Sequence, residues 1–319
     1  MATTIFKNPE HQALFNKQGF IVLPFLSEDE VQELDGIFDR FHPDIQAKGF
    51  FSGSYSADFD YKKKASDEIV RVFSRRYAEL FVNYTPFGGA FLCKIPGQNS
   101  ELSAHQDWTI VDETQAVALN CWVPLCDITP ENGPLMIMPG SHSDNLKVVR
   151  CPTLPFFFSG NESLVLNELE PMIVKAGTAV ILNQSVIHFS PNNTSNQVRK
   201  AITAGIKSAG AQMVFHYKVP DTDSLEVFEQ DDDFLIRFDN FFSDIGQRPK
   251  QGKSIGIIPY QLPKFGADEL KTLLTQMKTK AGFEMRDKEV IEAPVISEAK
   301  PSVFERLGRF FGLLNYSKP

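Results

Sequence analysis

The chain has no apolar run approaching the ~18 residues that a membrane-spanning helix requires. Its start, Met1 to Glu10, lacks the apolar segment of a secretory signal. Cysteine is scarce. Cys93, Cys121, Cys126 and Cys151 include no CxxC pair, so neither a disulfide scaffold nor a paired-cysteine zinc site is expected. These absences predict a reduced, cytoplasmic chain. Basic excess is missing too: 32 Lys and Arg stand against 40 Asp and Glu, a formal net charge of −8, which argues against non-specific nucleic-acid binding. No GxGxxG or Walker sequence supports a nucleotide-binding fold, and no internal repeat is present. Tryptophan and tyrosine are few, 2 and 7, whereas phenylalanine reaches 28. A Phe ring has no polar handle, so many of these rings are expected to be buried or to line an apolar pocket.

What is present fits a globular protein with a large core: 42% hydrophobic and 23% charged residues over 319 positions. Residues 1–86 read as a helical flank and lid. Ser27-Glu28-Asp29-Glu30 is a capping box, followed by Val31, Leu34, Phe38 and Phe41 at helical spacing and stopped by Pro43. A second helix is predicted from about Ser66 to Phe81, and the glycine-bearing stretch from Gly49 to Tyr55 reads as a loop. From residue 87 to about 220, short β-prone runs alternate with turns: Ala90–Ile95, Ala116–Val123, Leu135–Met138, Met172–Val174, Ala179–Leu182, Val198–Ile206 and Ala211–Val219. This punctuation predicts a mainly β sandwich or jelly roll. Residues 221–319 form a C-terminal extension. A helix is predicted over Ala267–Lys278, a polar tether over 284–301, and an amphipathic tail helix over Ser302–Tyr316 that docks on the protein itself or on a partner.

Of six histidines, two stand in suggestive settings. In His105-Gln106-Asp107 the outer side chains share one face of an extended strand while Gln106 points away. His188 follows a predicted turn and strand, and Arg199 opens the next β run, which a hairpin can return alongside. Two His and one carboxylate on one face of a metal leave open positions, as in non-haem Fe(II) oxygenases. A buried Arg suits bidentate capture of a carboxylate. His142 and His216 read as structural, His11 and His42 carry no signal, and Cys121 and Cys126 read as small apolar residues.

At this point the sequence resembles the phytanoyl-CoA dioxygenase-like branch of the Fe(II)/2-oxoglutarate-dependent oxygenases. The resemblance rests on His105-Gln106-Asp107, Asn120-Cys121-Trp122-Val123-Pro124-Leu125, Glu131-Asn132-Gly133-Pro134-Leu135 running into Pro139-Gly140-Ser141-His142, and His188-x-Ser190 with Arg199. It covers about residues 10–218. It implies a double-stranded β-helix (a cupin-like jelly roll) with flanking α-helices. It also implies Fe(II) held by His105, Asp107 and His188, with 2-oxoglutarate as cosubstrate and O2 as oxidant. Arg199 would bind the distal carboxylate, assisted by Ser190, with Lys94 also contacting the cosubstrate and Asn120 and Trp122 nearby. The implied reaction hydroxylates an unactivated C–H and releases succinate and CO2. Related halogenases have a small residue where Asp107 stands, so hydroxylation is the default outcome here.

The substrate is open: lipid-like, acyl thioester, amino-acid-like or natural product. Phe50, Phe51, Phe59, Phe87 and Phe156-Phe157-Phe158 are candidates to line the site, with core packing the plainer reading for most. Lys62-Lys63-Lys64 with Arg71, Arg75 and Arg76 are candidates for a phosphate contact, with a solvated helical face the plainer reading. Two other functions remain open, a non-catalytic jelly-roll ligand-binding protein and a zinc cupin-type isomerase or hydrolase.

Overall fold

The computed structural model describes residues 4–43, 49–142, 148–238 and 244–283. The predicted tether and tail helix lie outside these residues.

Three helices cover one side of the β structure. α1 (Pro9–Gln18) starts with Pro9 behind the Asn8 cap and stops at Gly19, whose left-handed backbone suits glycine. α2 (Glu28–Phe41) is capped as its sequence predicts, with both capping-box bonds between Ser27 and Glu30 present. α3 (Phe59–Leu80) begins seven residues before the expected start, because Asp58 caps it through the Tyr61 N–H. Its first turns carry Lys62-Lys63-Lys64 and so lack an apolar stripe, yet Lys62 is buried and its ammonium bonds the Phe238 carbonyl. The solvated-face reading therefore fails for Lys62.

The strands form the expected jelly roll. One sheet has six strands in the order β1 (Phe20–Pro24), β8 (Thr178–Asn183), β5 (Ala118–Pro124), β10 (Arg199–Ser208), β3 (Tyr84–Lys94) and β2 (Phe50–Ser52). The facing sheet has four: β4 (Leu102–His105), β9 (His188–Ser190), β6 (Leu135–Ile137) and β7 (Glu170–Met172). All pairings are antiparallel. β1 and β2 come from the segment read as a helical flank, and β3 begins at Tyr84. The jelly roll thus draws strands from before residue 87.

Strand alternation sorts the core into layers. On β10, Ile202, Ala204 and Ile206 face Leu34, Ile37 and Phe38 of α2 and Ile69 and Phe73 of α3 in one apolar cluster. The opposite face of the sheet sends Phe20, Trp122, Val180 and Leu182 to meet Leu135, Ile137 and Met172 from the four-stranded sheet. That sheet's outer face, with Met136 and Phe189, packs on α4 (Glu162–Leu166) and on Leu270, Leu274 and Met277 of α5 (Ala267–Ala281). A third sheet, β11 (Met213–Lys218), β12 (Ser224–Gln230) and β13 (Lys253–Pro259), extends the structure beyond the jelly roll. Phe215 and Phe228 join it to Phe234, Ile110 and Phe87. Among the described residues no helix is long and apolar enough to cross a membrane.

Candidate active site

Between the two main sheets opens a cavity of about 320 Å³. His105 closes β4 and His188 opens β9, directly opposite each other in the ladder, so the pairing itself juxtaposes the two imidazoles. Their ring centroids are 4.1 Å apart. Asp107 follows β4 outside any strand, and its Oδ1 lies 3.9 Å from His188 Nε2. One ligand atom from each of His105, Asp107 and His188 lies within 4.8 Å of the others, the arrangement of a metal-binding group. The expected alternation does not carry through, because the strand ends at His105: Gln106 lines the cavity as well.

Each ring is fixed by a backbone carbonyl. His105 Nδ1 meets the Ser103 oxygen at 2.7 Å, and His188 Nδ1 meets the Val186 oxygen at 2.9 Å. A carbonyl only accepts, so both Nδ1 atoms carry the proton and both Nε2 atoms present a lone pair. Burial, reinforced by neighbouring His188, pushes His105 down to about 4, which keeps it neutral and able to ligate at neutral pH. Tyr55 also lines the cavity, and burial together with the Asp107 carboxylate raises its phenol to about 12.

Arg199 stands at the start of β10, fully buried, with its guanidinium carbon 5.5 Å from the centroid of the Trp122 ring. Burial pulls its pKa down to about 10, so it stays charged at neutral pH. Nη2 bonds Ser190 Oγ at 3.3 Å, but among the described residues Nε and Nη1 have no partner. An unpaired, buried, charged donor pair is costly unless an anion completes it. The two-histidine, one-carboxylate donor set is one that suits Fe(II), and the orphaned guanidinium edge suits the carboxylate of an oxo acid. On both counts these residues fit the iron and 2-oxoglutarate that the sequence implies.

Of the other residues expected near the cosubstrate, Lys94 alone is placed away from the cavity lining. Lys94 pairs with Arg199 in register, but its buried Nζ donates to the Ser190 and Pro191 carbonyls and it does not line the cavity. Asn120 lines the cavity and bonds Asp107. Of the candidate phenylalanines, Phe50, Phe87 and Phe156 line the cavity. Phe157 and Phe158 are core, and Phe59 is exposed. Arg71, Arg75 and Arg76 pair with Glu30, Glu33, Glu68 and Glu79 on the helical face. His142 and His216 are structural, bonding the Asn16 and Thr109 carbonyls.

Sequence reasoning missed Tyr55, Trp108, Thr203, Leu235 and Ile236 as lining residues. Thr203 was accessible by alternation, being four residues along β10 from Arg199 on the same face. Leu235 and Ile236 arrive from the C-terminal extension with no signal of their own.

Fold and cluster together define a class, the jelly rolls with a two-histidine, one-carboxylate group between the sheets. Within it, the profile of the family described as phytanoyl-CoA dioxygenase matches residues 15–201, more than half of the sequence, and the chain belongs to that family. It is 38% identical over 121 residues to phytanoyl-CoA dioxygenase domain-containing protein 1 of Danio rerio, covering 35% of this chain and 41% of that protein. It is 27% identical over 175 residues to phytanoyl-CoA dioxygenase 1 of Oryza sativa subsp. japonica, covering 54% and 53%. The chain thus spans about half the length of the curated relatives it matches first. Among solved structures it is similar to HygX from Streptomyces hygroscopicus with nickel and 2-oxoglutarate bound, at 18% identity and TM-score 0.49, covering 64% of this chain and 87% of that one.

Proposed function

We propose that the protein is an Fe(II)- and 2-oxoglutarate-dependent dioxygenase that hydroxylates an unactivated C–H of a small, partly apolar molecule. The observation that carries this is the convergence of His105, Asp107 and His188 in the same cavity as a buried guanidinium with two unpaired nitrogens. His105 and His188 would hold the metal through Nε2 and Asp107 through a carboxylate oxygen. Bound there with 2-oxoglutarate and O2, the iron supplies the oxidising power for C–H hydroxylation, with succinate and CO2 as co-products. Arg199 would seat the distal carboxylate on its free edge, while Ser190 and Trp122 fix the guanidinium plane. The sheets and the aromatic lining exclude water from the reacting centre.

The lining supports a modest apolar substrate. Phe50, Phe87, Trp108, Leu235 and Ile236 bring apolar surface. Besides Arg199, the cation among the described lining residues is Lys62, which already bonds the Phe238 carbonyl. That wall favours a lipid-like or natural-product body over an extended polyphosphate group inside the cavity.

The test is succinate release by the purified full chain, with Fe(II) and 2-oxoglutarate each omitted in turn and His188→Ala as control. Release that needs both and is lost in the variant is expected. Ligand capture without succinate, or turnover with zinc and no 2-oxoglutarate, would replace this reading with a binding protein or a cupin-type isomerase or hydrolase.

A further inference from the structure

Asp107 is the one member of the cluster whose second contact is a side chain. The imidazoles lean on backbone carbonyls, which no substitution removes. Asp107 Oδ2 instead accepts from Asn120 Nδ2 at 3.1 Å, and Asn120 Oδ1 accepts from Thr203 Oγ1 at 2.5 Å. The direction of this relay is set from one end. A carboxylate only accepts, so the amide must turn its NH2 toward Asp107. Its oxygen then faces Thr203, whose hydroxyl must donate. Asn120 on β5 and Thr203 on β10 belong to paired neighbouring strands, Asn120 opposite Gly205 and Thr203 opposite Trp122. The relay therefore stands on a rigid sheet, whereas Asp107 lies beyond the end of β4 with no ladder to orient it. Oδ1 is left facing His188 Nε2.

We propose that Asn120, oriented by Thr203, is a positioning residue that holds Asp107 through Oδ2 and so offers only Oδ1 to the metal. The proposal rests on the metal-binding reading of the cluster and moves Asn120 from the cosubstrate to the metal side of the site. Its consequence is coordination economy. A carboxylate free to engage the metal with both oxygens would close a position that 2-oxoglutarate and O2 need. Asn120 keeps that position open by occupying the second oxygen.

The test uses the metal-free full chain titrated with Co(II) alone, read by calorimetry and by the visible absorption of bound Co(II), in Asn120→Leu, Thr203→Val, Thr203→Ser and His188→Ala. Removal of partners that orient a metal ligand costs about 10–100-fold in affinity, so Asn120→Leu is expected to weaken Co(II) by that much and to shift its absorption bands. Thr203→Val should move both readouts the same way by less, since the amide is then free to turn. Thr203→Ser should restore both, because the hydroxyl returns. A general packing defect would not follow the hydroxyl in this way, and the Thr203 pair answers the question even where Asn120→Leu folds poorly. Native affinity and spectrum in Asn120→Leu or in Thr203→Val, or a Thr203→Ser protein as defective as Thr203→Val, overturns the proposal. If His188→Ala loses Co(II) while Asn120→Leu binds normally, the ligand assignment stands and this inference alone falls. A native protein that binds no Co(II) removes both.

Discussion

Arg199 lies directly opposite Lys94 in the β10–β3 ladder, two buried basic side chains side by side, yet their donors go to different places. The Lys94 Nζ is tied to the Ser190 and Pro191 carbonyls, while among the described residues the Arg199 guanidinium keeps Nε and Nη1 unpaired. The neighbours thus divide two tasks. Lys94 braces the exit from β9, and Arg199 is left for an anion.

Arg199→Ala should therefore weaken 2-oxoglutarate binding by ~2–5 kcal/mol, the range for losing one partner of a buried charge pair. Arg199→Lys should recover only part of it, because an ammonium cannot form the planar fork. Calorimetric titration of 2-oxoglutarate into the metal-loaded protein measures both. Unchanged affinity in Arg199→Ala would place the anchor elsewhere.

Lys94→Met tests the other half. Met matches the aliphatic stem of Lys but leaves one buried and one part-buried carbonyl without their donor, at ~1–3 kcal/mol for the buried one. Chemical denaturation should show that loss, whereas 2-oxoglutarate affinity should fall far less than in Arg199→Ala. The reverse pattern would return Lys94 to the cosubstrate.

His105→Ala and His188→Ala should each abolish iron retention, read as metal content after dialysis, with circular dichroism close to native. The inter-sheet core is built by Phe20, Trp122, Val180, Leu182, Leu135 and Ile137, not by the imidazoles. Full iron content in either variant would contradict the ligand assignment.

His216 supplies a pH test away from the cluster. Its burial lowers the imidazole pKa more than the Thr109 carbonyl and Glu113 raise it. With the folded value below the unfolded ~6.5, the unfolded chain binds protons more readily in that window. The contribution is thus fully present above about pH 6.5 and is lost as pH falls through the folded value. His216→Gln should flatten the acid side of the stability profile measured by denaturant midpoint. An unchanged acid slope would assign it to other groups.

The cluster was legible in the sequence because its parts are scarce and ordered: His105, Asp107, His188 and Arg199 need only the short β runs around them to converge. The capping box of α2 and the strand at Ala179–Leu182 were equally plain, since local chemistry decides them. Asn120 reads from the sequence only as a residue near the site. Its partner depends on where the chain beyond β4 meets β5, and no local pattern carries that. The start of α3 was missed because Lys62 buries a long aliphatic stem on a face that reads as charged. β4 and β9 are too short to alternate visibly, and β13 shows no buried face at all, with Ile255 and Ile257 exposed.

β10 also dictates an order of assembly. Among the described residues it is the only link between β5 and β3, so the β1-β8-β5 ribbon and the β3-β2 pair cannot join until it arrives. β3 must wait through more than a hundred residues of synthesis for that partner, the kind of distant pairing that slows folding and leaves apolar edges open meanwhile. Because Arg199 is the first residue of the same strand, closing the sheet also delivers the guanidinium to the cavity. A chain interrupted before it would lack both the seam of the barrel and its anion site. Half-built, it would be prey for chaperones and proteases and incapable of partial activity.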